Sequence, residues 1–572
     1  MTFNVKIILT LGFLMTLANA EKLRLKRADV LESKKIGFET VKHLQGNVQF
    51  QKGDIKLTCQ KSVYKERKDI AFLFNQVKIF KDDLILECDS ITFYSKKNKL
   101  ESNGNPTIYD LDYKLVADSL IYFTELDSGI ALGNVELIQN DQKIKADRIE
   151  YVKNLGSEAI SYIAIGNVEI IDSLRTATCG LANYNDITEK TILDREPIIV
   201  DEQKTIVGEQ VVLQYDKKSL SRILIPKNAK ISSSIKEFDN IKKDSSHTVF
   251  EKNDDMTSKR LDGFFINGAL DSLRLVGMAS TTYHIFEDSL YKGKNITSGD
   301  TIIMKFYNKE LNNIIISGGA QGEYIPNTKA DGSTFPLIYS ADKLDYFLKD
   351  ENTNLSGNAQ TRHDNTDLKA GFIKVNWKTR ILKAFSRDWA DSTSSYLKPS
   401  IIEKGRDPMV GNEMTYNLDT KRGKINYGKT KADDGFYRGS EIRNESNKTI
   451  YIKNSIFTTC DLDTPHFHFE SEKMKIIQDD VVIAKPIVLK IAEIPVFGIP
   501  LAIFPHQGGK RHSGWIMPAY GESKSRGQYI DGLGFYWAPN DYWDSKFTLS
   551  FGDRQGAVLN VKNQYRLRYK YS

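Results

Sequence analysis

Two histidines, His466 and His468, lie two residues apart in the run Phe457-Thr458-Thr459-Cys460-Asp461-Leu462-Asp463-Thr464-Pro465-His466-Phe467-His468-Phe469. His, Cys and Asp are metal ligands, and residues i and i+2 of a strand point the same way. The set lacks the paired short spacings of a dedicated zinc site. The expectation is therefore a turn at Asp463-Thr464-Pro465 and a strand after it, with both His in hydrogen bonds and neither metal nor cofactor. A hydrolase using His466 or His468 would need a nucleophile, and no G-x-S-x-G motif accompanies them. No catalytic residue is assigned. Cys59 and Cys88 could pair on adjacent rungs of a repeat in an oxidising compartment, but small buried thiols are the expectation, because Ala and Gly serve at the same position.

The elements that position everything else are a repeat. Its starts read Gly46-Asn47-Val48, Asn75-Gln76-Val77, Gly104-Asn105-Pro106, Gly133-Asn134-Val135, Gly166-Asn167-Val168 and Arg195-Glu196-Pro197, spaced by 29 residues with one step of 33. Thirteen residues after each start comes a small residue (Cys59, Cys88, Ala117, Ala146, Cys179, Gly208), usually followed by an acidic or polar one. Five copies then carry an aromatic: Tyr64, Phe93, Tyr122, Tyr151 and Tyr184. A fixed period of this length marks a stacked repeat. Apolar residues alternate within each copy, so the units are strands. The alternation changes parity beside the small residue, which requires a bulge or corner there. Each copy is thus a folded-over strand unit that buries its apolar face only by stacking. The interior is either a packed core or a slot for acyl chains. The inward positions expected to meet such chains are Leu86, Phe93, Leu115, Tyr122, Ile149 and Tyr151.

Residues 1–20 read as a secretory signal, with Lys6, an apolar run from Ile7 to Leu17, and Ala18-Asn19-Ala20 as cleavage site. Repeats are expected over 21–225, a polar linker or excursion over 226–262, and a second, more irregular repeat region over 263–453. Weaker starts there are Gly277, Gly318-Gly319 and Gly357-Asn358. The formal net charge of +6 comes from scattered Lys and Arg and not from a basic block, so nucleic-acid binding has no support.

Residues 454–510 form a junction. Pro486, Pro495, Pro500 and Pro505 fall in an otherwise strand-forming apolar run, at a weak seam or a buried connector. Over 511–572 an apolar, aromatic-rich face opposes a charged one. Leu559, Val561, Tyr565, Leu567, Tyr569 and Tyr571 lie on one side; Asn560, Lys562, Gln564, Arg566, Arg568 and Lys570 lie on the other. That pattern fits an outer-membrane barrel, and about four strands fall short of the roughly eight a barrel needs. An open sheet leaves edge groups unpaired in lipid, so a C-terminally truncated chain is the expectation.

The repeats at 46–215 and the run from Phe457 through Phe469, continuing to Phe504-Pro505, resemble the LptD (organic-solvent-tolerance) family. The resemblance implies an all-β fold: stacked OstA-like β-jellyroll or β-taco repeats followed by the first strands of an outer-membrane β-barrel. It implies a transporter and not an enzyme: lipopolysaccharide is carried to the outer leaflet, with acyl chains in the jellyroll groove and release through a laterally opening barrel, and the four prolines at the seam. Implied partners are lipopolysaccharide, an LptE-like plug lipoprotein and a periplasmic LptA/LptC-type jellyroll bridge. The implied location is the outer membrane, with the N-terminal domain in the periplasm. Some members join jellyroll to barrel by disulfides; Cys460 lies at the junction, with no Cys after it. The alternative is a structural or adhesive β-solenoid surface protein anchored in the outer membrane.

Overall fold

The computed structural model describes residues 22–567 apart from 111–112, 140–141, 154–159, 173–174, 202–203, 218, 239–248, 288–289, 309, 328–334, 387–396, 405–406, 433–434, 446–448, 463, 478–480, 506–511 and 517. The expected signal segment, Asp463, Tyr569 and Tyr571 lie outside them. The described chain is all-β, interrupted by one short 3-10 turn at Ser95–Lys97. No helix among the described residues is long and apolar enough to cross a membrane. The chain divides into two compact units, Met1–Ile231 and Ser232–Ser572.

In the first unit, antiparallel strands such as Glu39–Lys52, Ile55–Lys65, Ile70–Lys81 and Leu84–Tyr94 follow one another through tight turns. Each ladder slips at the repeat start: between Gln45 and Val48, Phe74 and Val77, Leu132 and Val135, Ile165 and Val168. The slips are the corners that the parity change requires. Gly133 and Asn134 have φ of 73° and 41°, and Gly166 and Asn167 of 76° and 42°, a paired left-handed bend open to Gly and tolerated by Asn. The acidic residue after the small one fastens that bend from the neighbouring strand. Asn134 Nδ2 donates to Asp118 Oδ2 at 2.9 Å, and Asn167 Nδ2 to Asp147 Oδ2 at 2.9 Å. A Cβ on Gly133 would meet Asp118 Oδ2 at 2.4 Å, so glycine is fixed by the carboxylate as well as by φ. The copies with proline break the strand instead, giving Lys99–Ser102 then Thr107–Tyr109, because Pro106 cannot donate to a ladder.

Each long strand therefore has two halves that fold onto each other about the corner. Leu44, Val48, Phe50, Leu57, Leu73, Ile79, Leu86, Ile108 and Leu120 are buried between them.

The second unit repeats the scheme with longer strands, Ala269–Glu287, Leu290–Tyr307 and Glu310–Pro326. Its corners fall between Val276 and Ala279, Ser317 and Ala320, and Ser356 and Ala359, at Gly277, Gly318-Gly319 and Gly357-Asn358. Asn358 donates to Asp342 at 3.1 Å, the same fastening as in the first unit. One expectation needs correction. The polar stretch 226–262 holds the strands Ala229–Phe238 and Val249–Ser258. Polar residues there are buried with partners: Asp254, 7% exposed, accepts from the His284 backbone N–H at 2.8 Å. A strand whose inward residues are polar carries no apolar alternation to read.

The unit ends in a separate five-stranded sheet running from Gly514–Ile516 to Gly556–Tyr565. Gly514–Ile516 and Ala519–Ser523 both pair with Gly527–Trp537, on either side of Pro518, so there are five strands where about four were expected. Phe547 faces Val561 and Leu549 faces Leu559 across the last pair, as the alternation requires. Those side chains are exposed, Leu559 at 67% and Val561 at 50%.

Candidate functional site

The six inward positions singled out in the first unit all lie in its interior. Leu86 is 1% exposed, Phe93 0%, Leu115 1%, Tyr122 2%, Ile149 0% and Tyr151 4%. At these positions the interior is filled as well as apolar. Opposite the corner, the strand ends form a mouth, and aromatic rings fill it. Tyr122 stacks on Tyr151 at 6.4 Å between centroids, and Tyr113 meets Tyr151 edge-on at 6.4 Å from the facing half. Gly129, paired with Tyr151, leaves room for that ring: a Cβ there would lie 2.5 Å from it. The Tyr122 hydroxyl donates to Asp127 Oδ1 at 2.8 Å, and burial first, then that bond, pushes its pKa well above the usual phenol range. The Tyr151 hydroxyl is buried with no hydrogen-bond partner among the described residues.

Polar ties cross the same mouth, a feature absent from the sequence reading. Lys81 Nζ reaches the Thr124 carbonyl at 2.6 Å and Asp127 Oδ1 at 2.5 Å. Lys52, one repeat earlier, donates to the Ser95 carbonyl and to Asn98 Oδ1. One repeat later the charges exchange ends, and Lys153 Nζ lies 3.8 Å from Asp110 Oδ2. The signal was there in hindsight: Lys52, Lys81 and Asp110 share one repeat position, and Asn98 and Asp127 share another. The cysteines at the corners are free thiols. Burial pushes Cys59 up to about 11 and Cys88 up to about 12, which suppresses the reactive thiolate.

In the second unit a cavity of about 440 Å³ opens between the two halves, with Tyr283, Ile285 and Tyr324 on one half and Tyr346, Trp377 and Arg380 on the other. A second, smaller cavity of about 130 Å³ lies at the junction, walled by Phe469, Leu489, Phe497, Phe504, Trp515 and Leu533. The four prolines occupy breaks in this region. Pro486 separates the strands Val481–Lys485 and Ile487–Ile491. Pro495 faces Lys490 at a register slip, Pro500 follows the strand Ile494–Ile499, and Pro505 ends Ala502–Pro505. Ile494 and Val496 are 65% and 56% exposed.

The two histidines part company. His466 is exposed, its Nδ1 3.6 Å from Cys460 Sγ. His468 is 3% exposed, and its Nδ1 has no hydrogen-bond partner among the described residues, with Glu493 Oε1 at 3.8 Å. The strand Phe467–Ile477 turns His468 inward, whereas His466 lies before the strand begins. No group of three or more metal-ligating side chains is found among the described residues.

Residues 64–209 match the OstA-like protein family, and residues 482–572 match the family described as LptD protein. The chain is related to the LptD proteins. It is 26% identical over 170 residues to the LPS-assembly protein LptD of Nitrosospira multiformis, covering 29% of this chain and 18% of that one. It is 32% identical over 123 residues to LptD of Shewanella sp. strain MR-4, covering 21% and 15%. LptD of Nitrosomonas europaea is 22% identical over 229 residues, covering 40% and 26%. These matches thus span about a quarter or less of the relatives' own length. A solved structure of LptH from Pseudomonas aeruginosa, described as a periplasmic component of a lipopolysaccharide transport device, is similar over 23% of this chain and 85% of its own, at 15% identity and a TM-score of 0.20.

Proposed function

We propose that this LptD-like chain carries lipopolysaccharide to the outer membrane, its acyl chains passing between the two halves of the repeats. The observation that carries the proposal is the largely apolar lining of the first unit, from Leu44 to Ala182, in a protein whose five-stranded sheet exposes apolar side chains at Phe547, Leu549, Leu559 and Val561. Leaving an acyl chain in water costs about 0.8 kcal/mol per methylene, so a lined route is the physical requirement of such transport. The closed mouth sets a condition: the halves must part, releasing the lysine ties, before a chain enters. The five-stranded sheet, with Lys546, Asn560, Lys562 and Gln564 opposite its apolar side, supplies part of a barrel wall in the outer membrane. The prolines between Pro486 and Pro505 form the seam through which chains leave. An LptA/LptC-type jellyroll meets the repeats in the periplasm, and an LptE-like lipoprotein plugs the barrel.

The test is photo-crosslinking in cells from Leu115, Tyr122 and Tyr151, with outward Lys114 as control. Adducts with lipopolysaccharide from the three inward positions alone are expected. Equal yield from Lys114, or none from any position, removes the internal route. The adhesive-spacer reading predicts that depletion leaves lipopolysaccharide export intact.

A further inference from the structure

The second unit's cavity is built unlike the sealed interior of the first. Its walls carry aromatic and aliphatic residues, Tyr283, Ile285, Tyr324, Tyr346, Leu348 and Trp377, with the polar Asn295 among them. The rings are held in place. Trp377 Nε1 donates to Thr353 Oγ1 at 2.7 Å, and Trp377 lies 5.4 Å from Tyr324. The rim is charged. Lys292, Lys378 and Arg380 line it together with Glu351 and Asp419. Arg380 lies over the Tyr324 ring at 5.7 Å and its Nε meets Asp419 Oδ1 at 3.3 Å, which orients the guanidinium across the opening. Three cations against two carboxylates leave the rim net positive. At about 440 Å³ the volume falls within the range of small-molecule sites, about 300–1,000 Å³. It has room for one acyl chain and not for a bundle of them. Tyr283, 40% exposed, shows that the site opens to solvent.

We propose that this cavity is a station for a single acyl chain of the carried lipid, with the adjoining anionic group at Lys292, Lys378 and Arg380. It deepens the transport reading and rests on it for the identity of the lipid. Aromatic faces and aliphatic side chains take the chain, and the rim takes phosphate or carboxylate through charge-assisted hydrogen bonds. The carboxylates at the rim suit hydroxyl donors near that anion.

The test uses the full chain held soluble in an amphipathic polymer, with tetradecanoate brominated near its methyl end as probe. Bromine quenches indole fluorescence at contact. Saturable quenching is expected in the parent chain, and its loss in Trp377→Phe. Lys378→Glu is expected to weaken tetradecanoate binding about five-fold and leave tetradecanol unaffected. Lipopolysaccharide is expected to displace the probe. An unchanged quenching curve in Trp377→Phe places the probe elsewhere and overturns the site. Equal effects of Lys378→Glu on acid and alcohol overturn the anionic end. Probe binding that lipopolysaccharide does not displace overturns the carried lipid as occupant. None of these outcomes depends on crosslinking at Leu115, so the station and the transport route fail separately.

Discussion

Between Tyr113 and Lys153 the mouth of the repeat is filled by stacked tyrosines and tied by lysines; between Tyr283 and Arg380 it holds a cavity of about 440 Å³. Both stretches are built from the same corner. Asp118 with Gly133-Asn134 in one unit, and Asp342 with Gly357-Asn358 in the other, make the same bend and the same hydrogen bond. The difference teaches that the repeat fixes where the strand folds and leaves the spacing of its free ends to local residues. One scaffold can thus be filled in one place and hold a cavity in another.

The sharpest way to break this comparison is to shorten a leucine in each. Leu115→Ala empties a filled site and should cost about 2–5 kcal/mol, whereas Leu348→Ala only enlarges a cavity that already exists and should cost about 1 kcal/mol. Hydrogen exchange read by mass spectrometry reports the two units separately. Equal losses would mean that the second interior is as tightly filled as the first. A smaller effect tests the part they share. Gly133→Ala and Gly357→Ala each force a side chain into the left-handed region and against a carboxylate, with Cβ 2.4 Å and 2.3 Å from it. Each should cost about 1–3 kcal/mol in its own unit. Adding Asp118→Ala to Gly133→Ala should recover the steric share and leave the backbone share. A large difference between the two glycines would show that the corners are not equivalent.

The corner was legible in the sequence because its parts, the left-handed Gly-Asn pair and the acidic residue that meets it, recur at fixed spacing. The strands, their parity change and the apolar face of Phe547 and Leu549 were legible for the same reason. What escaped depends on how the two halves lie over each other. Lys81 and Asp127 are 46 residues apart and meet only because the facing halves are offset by several strands. The cavity is walled by Trp377 and by the end of the long strand Ala269–Glu287, and a weak repeat reveals neither the placement of that ring nor the length of that strand. The strands inside 229–258 were missed because burial of Asp254 reads as solvent exposure until its partner His284 is placed beside it.

The ties offer a gentler test. Lys81 is 13% and Asp127 33% exposed, so Lys81→Ala should cost about 1 kcal/mol and act mainly on the mouth. Faster exchange is expected at Tyr122–Ile130, with the corner at Gly133 unchanged. In the second unit, Arg380→Ala removes the cation over Tyr324 and should leave exchange at Gly357 unchanged as well. If Lys81→Ala loosened corner and mouth equally, the two halves would not hinge at the corner.

The smallest effect belongs to the outer surface and serves as the contrast for those ties. Glu441 meets Lys424 at 3.0 Å, Arg443 at 2.7 Å and Lys453 at 3.2 Å. The hydrogen bond from Lys424 leads the causes that hold its carboxyl down at about 2, below the usual carboxylate range. A folded-state value below the unfolded one, about 4.3, gives stability that is fully present above the unfolded value. That stability is lost as pH falls from about 4.3 to about 2. The ions face water, so the loss should be at most about 1 kcal/mol, and smaller at high salt. Glu441→Gln should flatten the acid limb of the second unit's stability over that window and leave the first unit's unchanged. The mouth ties, being less exposed, should respond less to added salt than this cluster does. If both faded equally with salt, Lys81 and Asp127 would behave as surface charges, and ring stacking alone would account for the closed mouth.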